Sequence, residues 1–167
     1  MFKSGETVIY GQAGVCTIID ICEKELVRNQ KKLYYVIKPL FQQNNIIYAP
    51  VENRKVNIRP VMTRQEADEL ILKIPEIKAQ SNICELTQEE CRKSLSSMDC
   101  TDVLKLTMLI YQKKKTAESQ KKKLGFSDGR YMQLAEDILF GELAFVLDIP
   151  REKIKDYIDE KLKSSKE

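Results

Sequence analysis

Val56-Asn-Ile-Arg-Pro-Val-Met-Thr-Arg-Gln-Glu-Ala-Asp-Glu-Leu-Ile71 is where the chain changes character. Up to Pro60, apolar Val56 and Ile58 alternate with polar neighbours, the period of a half-buried strand; beyond it Ala67, Leu70 and Ile71 recur at helical spacing. Thr63 and Glu66 stand between the two regimes as a capping box, which marks a helix start. The stretch therefore predicts an α+β chain with its boundary near 61–63. A small β-domain occupies 1–61 and an all-helical domain 62–167, with a frayed tail over 163–167.

Working back from the boundary, short runs rich in Val, Ile and Tyr cover 7–10, 15–22, 33–39, 45–49 and 56–60. Turn-forming segments separate them, among them Gly11-Gln-Ala-Gly14 and Arg28-Asn-Gln-Lys31. Five short strands at this spacing predict a small barrel. On the second run Val15, Thr17, Ile19 and Ile21 alternate with Cys16, Ile18, Asp20 and Cys22, so both faces carry aliphatic residues, as on a strand crossing a barrel corner.

Working forward, Pro75 ends or kinks the first helix, and Thr87 with Glu90 forms a second capping box ahead of Cys91 and Leu95. A third helix is predicted over 101–123, apolar through Ile110 and lysine-rich after it, with Gly125 as its stop. Ser127 or Asp128 caps a fourth helix whose mostly apolar stripe runs through Tyr131, Leu134, Ala135, Ile138, Leu139, Glu142 and Phe145. Pro150 opens a last helix reaching about residue 162.

Composition removes several classes of function. The 167 residues are 43% hydrophobic, enough to bury a core, and include no histidine. Ser-His and Cys-His nucleophilic catalysis are thereby excluded, and no Gly-rich phosphate loop is present. Cys16, Cys22, Cys84, Cys91 and Cys100 contain no CxxC pair and read as reduced packing residues, with no metal site and no cofactor. Cys84 and Cys91 would lie roughly 10 Å apart on one helix, too far for a disulfide. The adjacent acids Glu136 and Asp137, Glu89 and Glu90, and Asp159 and Glu160 point about 100° apart on a helix, a poor arrangement for shared acid–base work. No run approaches the roughly 18–20 apolar residues of a membrane span, and the N-terminus has no signal-peptide core; a cytoplasmic, non-enzymatic protein without a small-molecule substrate is expected.

Charge is concentrated where the total hides it. The net charge is +3, yet between Lys105 and Arg130 eight basic residues face two acids, a local +6. Lys113, Lys114, Lys115, Lys121, Lys122, Lys123 and Arg130, with Arg92 and Lys93, are the candidates for contact with DNA phosphates. On one continuous helix Lys114 and Lys121 would share a face; the bland alternative is a solvated helix end. In the β-domain Lys24, Tyr48, Pro50 and Arg54 are candidates for a partner-binding rim, against the alternative that Tyr48 pairs across strands and Lys24 solvates a hairpin.

Phe2-Lys-Ser-Gly-Glu-Thr-Val-Ile-Tyr10, Gly14-Val15, Tyr34-Tyr-Val-Ile-Lys38 and Ile47-Tyr-Ala-Pro-Val-Glu-Asn53 together resemble the RNA-polymerase-interacting domain of the CarD, CdnL and transcription-repair coupling factor family. Arg130, Ala135, Ile138, Leu139 and Gly141-Glu-Leu-Ala144 resemble the C-terminal helical domain of CdnL-type proteins. The resemblance implies a Tudor-like β-barrel docking on the polymerase β subunit and a helical domain touching promoter DNA at the upstream edge of the bubble. The implied role is a non-catalytic bacterial transcription regulator that shifts open-complex stability; the alternative is an adaptor that binds a partner protein without DNA. Lys24 and Tyr48 fall where the family places polymerase contacts. Relatives wedge a tryptophan into the minor groove, and this chain has none, leaving Ile83, Cys84 or Leu86 as aliphatic substitutes.

Overall fold

The computed structural model describes residues 1–52, 55–80 and 86–167. The chain divides into two compact units, Met1–Val61 and Met62–Glu167. Among the described residues an antiparallel five-stranded sheet makes the first and six α-helices make the second, an α+β arrangement.

The strands are β1 (Thr7–Tyr10), β2 (Gly14–Val27), β3 (Gln30–Pro39), β4 (Ile47–Pro50) and β5 (Ile58–Pro60), in the order β4-β3-β2-β1-β5. Among the described residues no ladder joins β4 to β5, so the sheet is open where the strand spacing predicts a barrel. Both edge strands are short, and each ends on a proline, Pro50 and Pro60, which has no N–H to donate to a further strand. The β1–β2 connection turns at Gly11, whose φ of +47° and approach to Val56, 2.7 Å from where a Cβ would stand, both require glycine.

A bulge in β2 explains why both of its faces are aliphatic. Ile18 pairs with Ile37 and Asp20 with Val36, leaving Ile19 as the extra residue. Cys16 and Ile18 point into the core before the bulge and Ile21 after it, so the inward phase switches from even to odd numbers. Ile19 itself is left exposed. The core of this unit is Val8, Cys16, Ile18, Tyr35, Ile37 and Ala49. Burial pushes the Cys16 thiol up to about 12, which keeps it neutral and inert.

The helices are α1 (Arg64–Leu72), α2 (Ile74–Gln80), α3 (Gln88–Ser97), α4 (Cys100–Ser119), α5 (Phe126–Leu147) and α6 (Ile154–Ser164). Both capping boxes form: Thr63 accepts from the Glu66 N–H and Thr87 from that of Glu90, each glutamate returning the bond. Pro75 lies in the first turn of α2, where its missing N–H does no harm. The helical core gathers Ala67, Ile71, Leu95, Leu106, Ile110, Leu139, Leu143 and Ile154. Ion pairs lock its rim, Asp68 with Lys161 and Asp137 with Arg151.

Two boundaries differ from the pattern-based expectation. α4 stops at Ser119, not at residue 123, and Gly125 rather than Ser127 or Asp128 is the N-cap of α5. The stop is a Schellman arrangement: Lys121 takes φ +57°, its N–H donates to Glu118 O, and the Lys122 N–H donates to Ala117 O at 2.8 Å. A lysine thus occupies the left-handed position that glycine fills without steric penalty. Lys121→Gly is expected to stabilise the helical unit by about 1 kcal/mol, read as a higher urea midpoint of its helical circular dichroism.

Candidate functional site

On the sheet unit, Lys24 and Tyr48 meet. Pairing of β2 with β3 and of β3 with β4 puts Asp20, Val36 and Tyr48 in one cross-strand row and Cys22, Tyr34 and Pro50 in the next, all on the face opposite the core. Lys24 continues that face, and its Nζ stands 3.8 Å from the centroid of the Tyr48 ring, a cation–π contact. The Tyr48 side chain, as a hydrogen-bonding partner, is the first cause that holds the ammonium above its ordinary value. Tyr48 remains 40% exposed, so the pair presents an aromatic plane and a fixed cation to solvent. Pro50 shares the strand and the face. Arg54 lies outside the described residues.

On the helical unit the basic candidates divide. Lys113, Lys114 and Lys115 lie on the exposed second half of α4, whereas Lys121, Lys122 and Lys123 belong to the loop after it. Lys114 and Lys121 therefore do not share a helix face, because the Schellman turn intervenes. Lys113 is committed to Asp128 at 2.5 Å, tying α4 to the first turn of α5. Gln88 Nε2 donates to Ser127 Oγ at 3.4 Å and ties the start of α3 to the same turn. Cys91 of α3 senses this junction: burial raises its thiol first, and the Asp128 carboxylate adds to the rise. One end of the unit thus gathers the starts of α3 and α5, the basic half of α4 and the lysine loop. Arg92 and Lys93 are exposed on α3 and Arg130 on α5.

Of the three aliphatic wedge candidates, Ile83 and Cys84 lie outside the described residues. Leu86 is half-buried against the helical core, which takes up part of the surface a wedge would need. Sequence patterning missed Phe126. It falls between the lysine loop and the stripe that begins at Tyr131, and it is 89% exposed.

The adjacent acids of α5 are separately occupied. Glu136 accepts from the Tyr111 hydroxyl and from Lys155 at 3.2 Å, while Asp137 pairs with Arg151 and accepts from Gln133. Burial, then Glu136, raises the Tyr111 phenol. Gln133, Glu136, Asp137, Arg151 and Lys155 line a cleft with Phe140 and Glu152; the Glu136–Lys155 pair ties α5 to α6, and the Tyr111 hydrogen bond ties α4 to α5. Among the described residues no cluster of three or more His, Cys, Asp or Glu could hold a metal, and no helix is long and apolar enough to cross a membrane.

An antiparallel sheet with a preset aromatic–cation face has the features of a protein-interaction module. Residues 2–62 match the family model of the CarD-like/TRCF RID domain. The N-terminal unit is therefore a CarD-like RID domain, the RNA polymerase-interacting domain, and the chain carries it ahead of a helical unit of which only Met62 falls within the match.

Proposed function

We propose that this chain is a non-catalytic, cytoplasmic bacterial transcription regulator that grips the RNA polymerase β subunit with its sheet unit and promoter DNA with the basic end of its helical unit. The match of residues 2–62 to an RNA polymerase-interacting domain carries the reading. The Lys24–Tyr48 pair supports the position of the grip: a fixed cation over an aromatic ring forfeits less side-chain freedom on docking than two mobile groups. Retention of the full-length chain by immobilised polymerase β subunit tests it, and no retention at micromolar concentration overturns it.

The DNA half rests on charge. Lys121, Lys122 and Lys123 are exposed, and the neighbouring Asp128 is neutralised by Lys113. If those three lysines neutralise phosphates, they contribute about −2.7 to the slope of log affinity against log salt. Replacing all three by alanine is expected to make that slope shallower by about that amount and to weaken binding alike on unrelated sequences, as measured by fluorescence anisotropy across a salt series. The chain then alters initiation by favouring one of two pre-existing promoter complexes, closed or open, through differential affinity.

A further inference from the structure

Phe126 is an aromatic ring that the fold leaves out. Leu124, two residues earlier, packs against the helical core, and Tyr131 and Leu134 pack against it from the body of α5. Phe126 begins α5 at 89% exposure. Gly129, one turn along, has only open space where a side chain would be, so nothing from that position covers the ring. Arg130, four residues on and therefore on the same helix face, is exposed, and the lysine loop 121–123 ends three residues before the ring. The one acid of this turn, Asp128, is held by Lys113 at 2.5 Å. An uncovered ring bordered by free cations matches a polymer that offers phosphates and π faces together.

We propose that Phe126 stacks on an unpaired or unstacked base of DNA while Lys121, Lys122, Lys123 and Arg130 hold the adjoining phosphates. The inference rests on the DNA contact proposed above and deepens it by naming the form of DNA. In an intact duplex every base face is covered by its neighbours, so a phenyl ring gains stacking only where the stack is already open or opens at small cost. The lysines have no such requirement, since both DNA forms carry phosphates. The ring therefore supplies selectivity for open DNA and the cations supply general affinity.

Anisotropy measured with the full-length chain separates the two contributions. The probes are a fully paired duplex and a duplex of equal length with a central unpaired stretch, the latter also carrying 2-aminopurine at the edge of the opening. The unaltered chain is expected to prefer the opened DNA by about tenfold, the scale of one base–aromatic stack, and to change the 2-aminopurine fluorescence on binding. F126A abolishes both the preference and the fluorescence change and keeps the salt slope; F126W restores them. The triple lysine-to-alanine variant weakens both DNAs and keeps the preference. Absence of binding to either DNA by the unaltered chain overturns the DNA contact and this inference together. Binding without a preference, or an equal preference in F126A, overturns the role of Phe126 alone. Loss of polymerase binding by F126A with DNA selectivity intact also overturns it, in favour of a protein contact.

Discussion

Lys24→Glu is expected to weaken binding of the chain to the polymerase β subunit by about thirty-fold, roughly the 2 kcal/mol of an interface hot spot. Two effects add. The substitution removes the cation fixed 3.8 Å over the Tyr48 ring, and it reverses the charge presented to the partner. Tyr48→Ala removes the plane instead and is expected to lose about tenfold, whereas Tyr48→Phe keeps the ring and stays within about threefold of the unaltered chain. Both side chains are on the face opposite the core, so the fold is unaffected. Titration against the isolated β subunit, with circular dichroism as the folding control, reads all three. Unchanged affinity in Lys24→Glu would show that the grip lies elsewhere on the sheet unit.

The second large effect is on stability. Glu142 is fully buried in α5; its Oε1 accepts from the Met62 N–H at 2.8 Å and its Oε2 from the Cys100 thiol at 3.3 Å. It therefore pins the first residue of the helical unit and the start of α4 to the central helix. Glu142→Ala leaves the Met62 N–H without this acceptor and opens a cavity, and together these are expected to destabilise the helical unit by about 3 kcal/mol. Relief of the buried carboxylate's own desolvation offsets only part of this, because the orphaned donor stays behind. Glu142→Gln keeps an acceptor and the volume and should lose less than half as much. Thermal melts followed by helical circular dichroism would register Glu142→Ala as a drop of about 10 °C or more. A drop below about 2 °C would mean that the Met62 N–H finds another partner.

What was legible in the chain was local. The Thr63–Glu66 and Thr87–Glu90 boxes, strand β1 and the change of period at Pro60 each depend on residues within a turn of one another, and each is present in the structure. Four features escaped for different reasons. The bulge at Ile19 follows from how β2 must meet β3, and alternation along β2 alone shows only that both faces are aliphatic. The end of α4 escaped because Lys121 takes a left-handed conformation that favours glycine, while Gly125, the residue that looks like the stop, caps the next helix. The Lys24–Tyr48 pair spans three strands, so single-strand patterning names both residues without bringing them together. Phe126 was hidden by its own character: an apolar residue at the start of an apolar helix reads as core, and only its exposure shows that nothing packs on it.

The lifetime of the open complex on one promoter, measured with increasing chain up to saturation, tests the central claim most directly. A regulator that grips polymerase with Lys24 and Tyr48 and DNA with its lysine loop changes that lifetime severalfold, and Lys24→Glu moves the half-effect to proportionately higher concentration. A lifetime that stays constant at saturating chain, with polymerase binding shown in the same sample, would contradict the account.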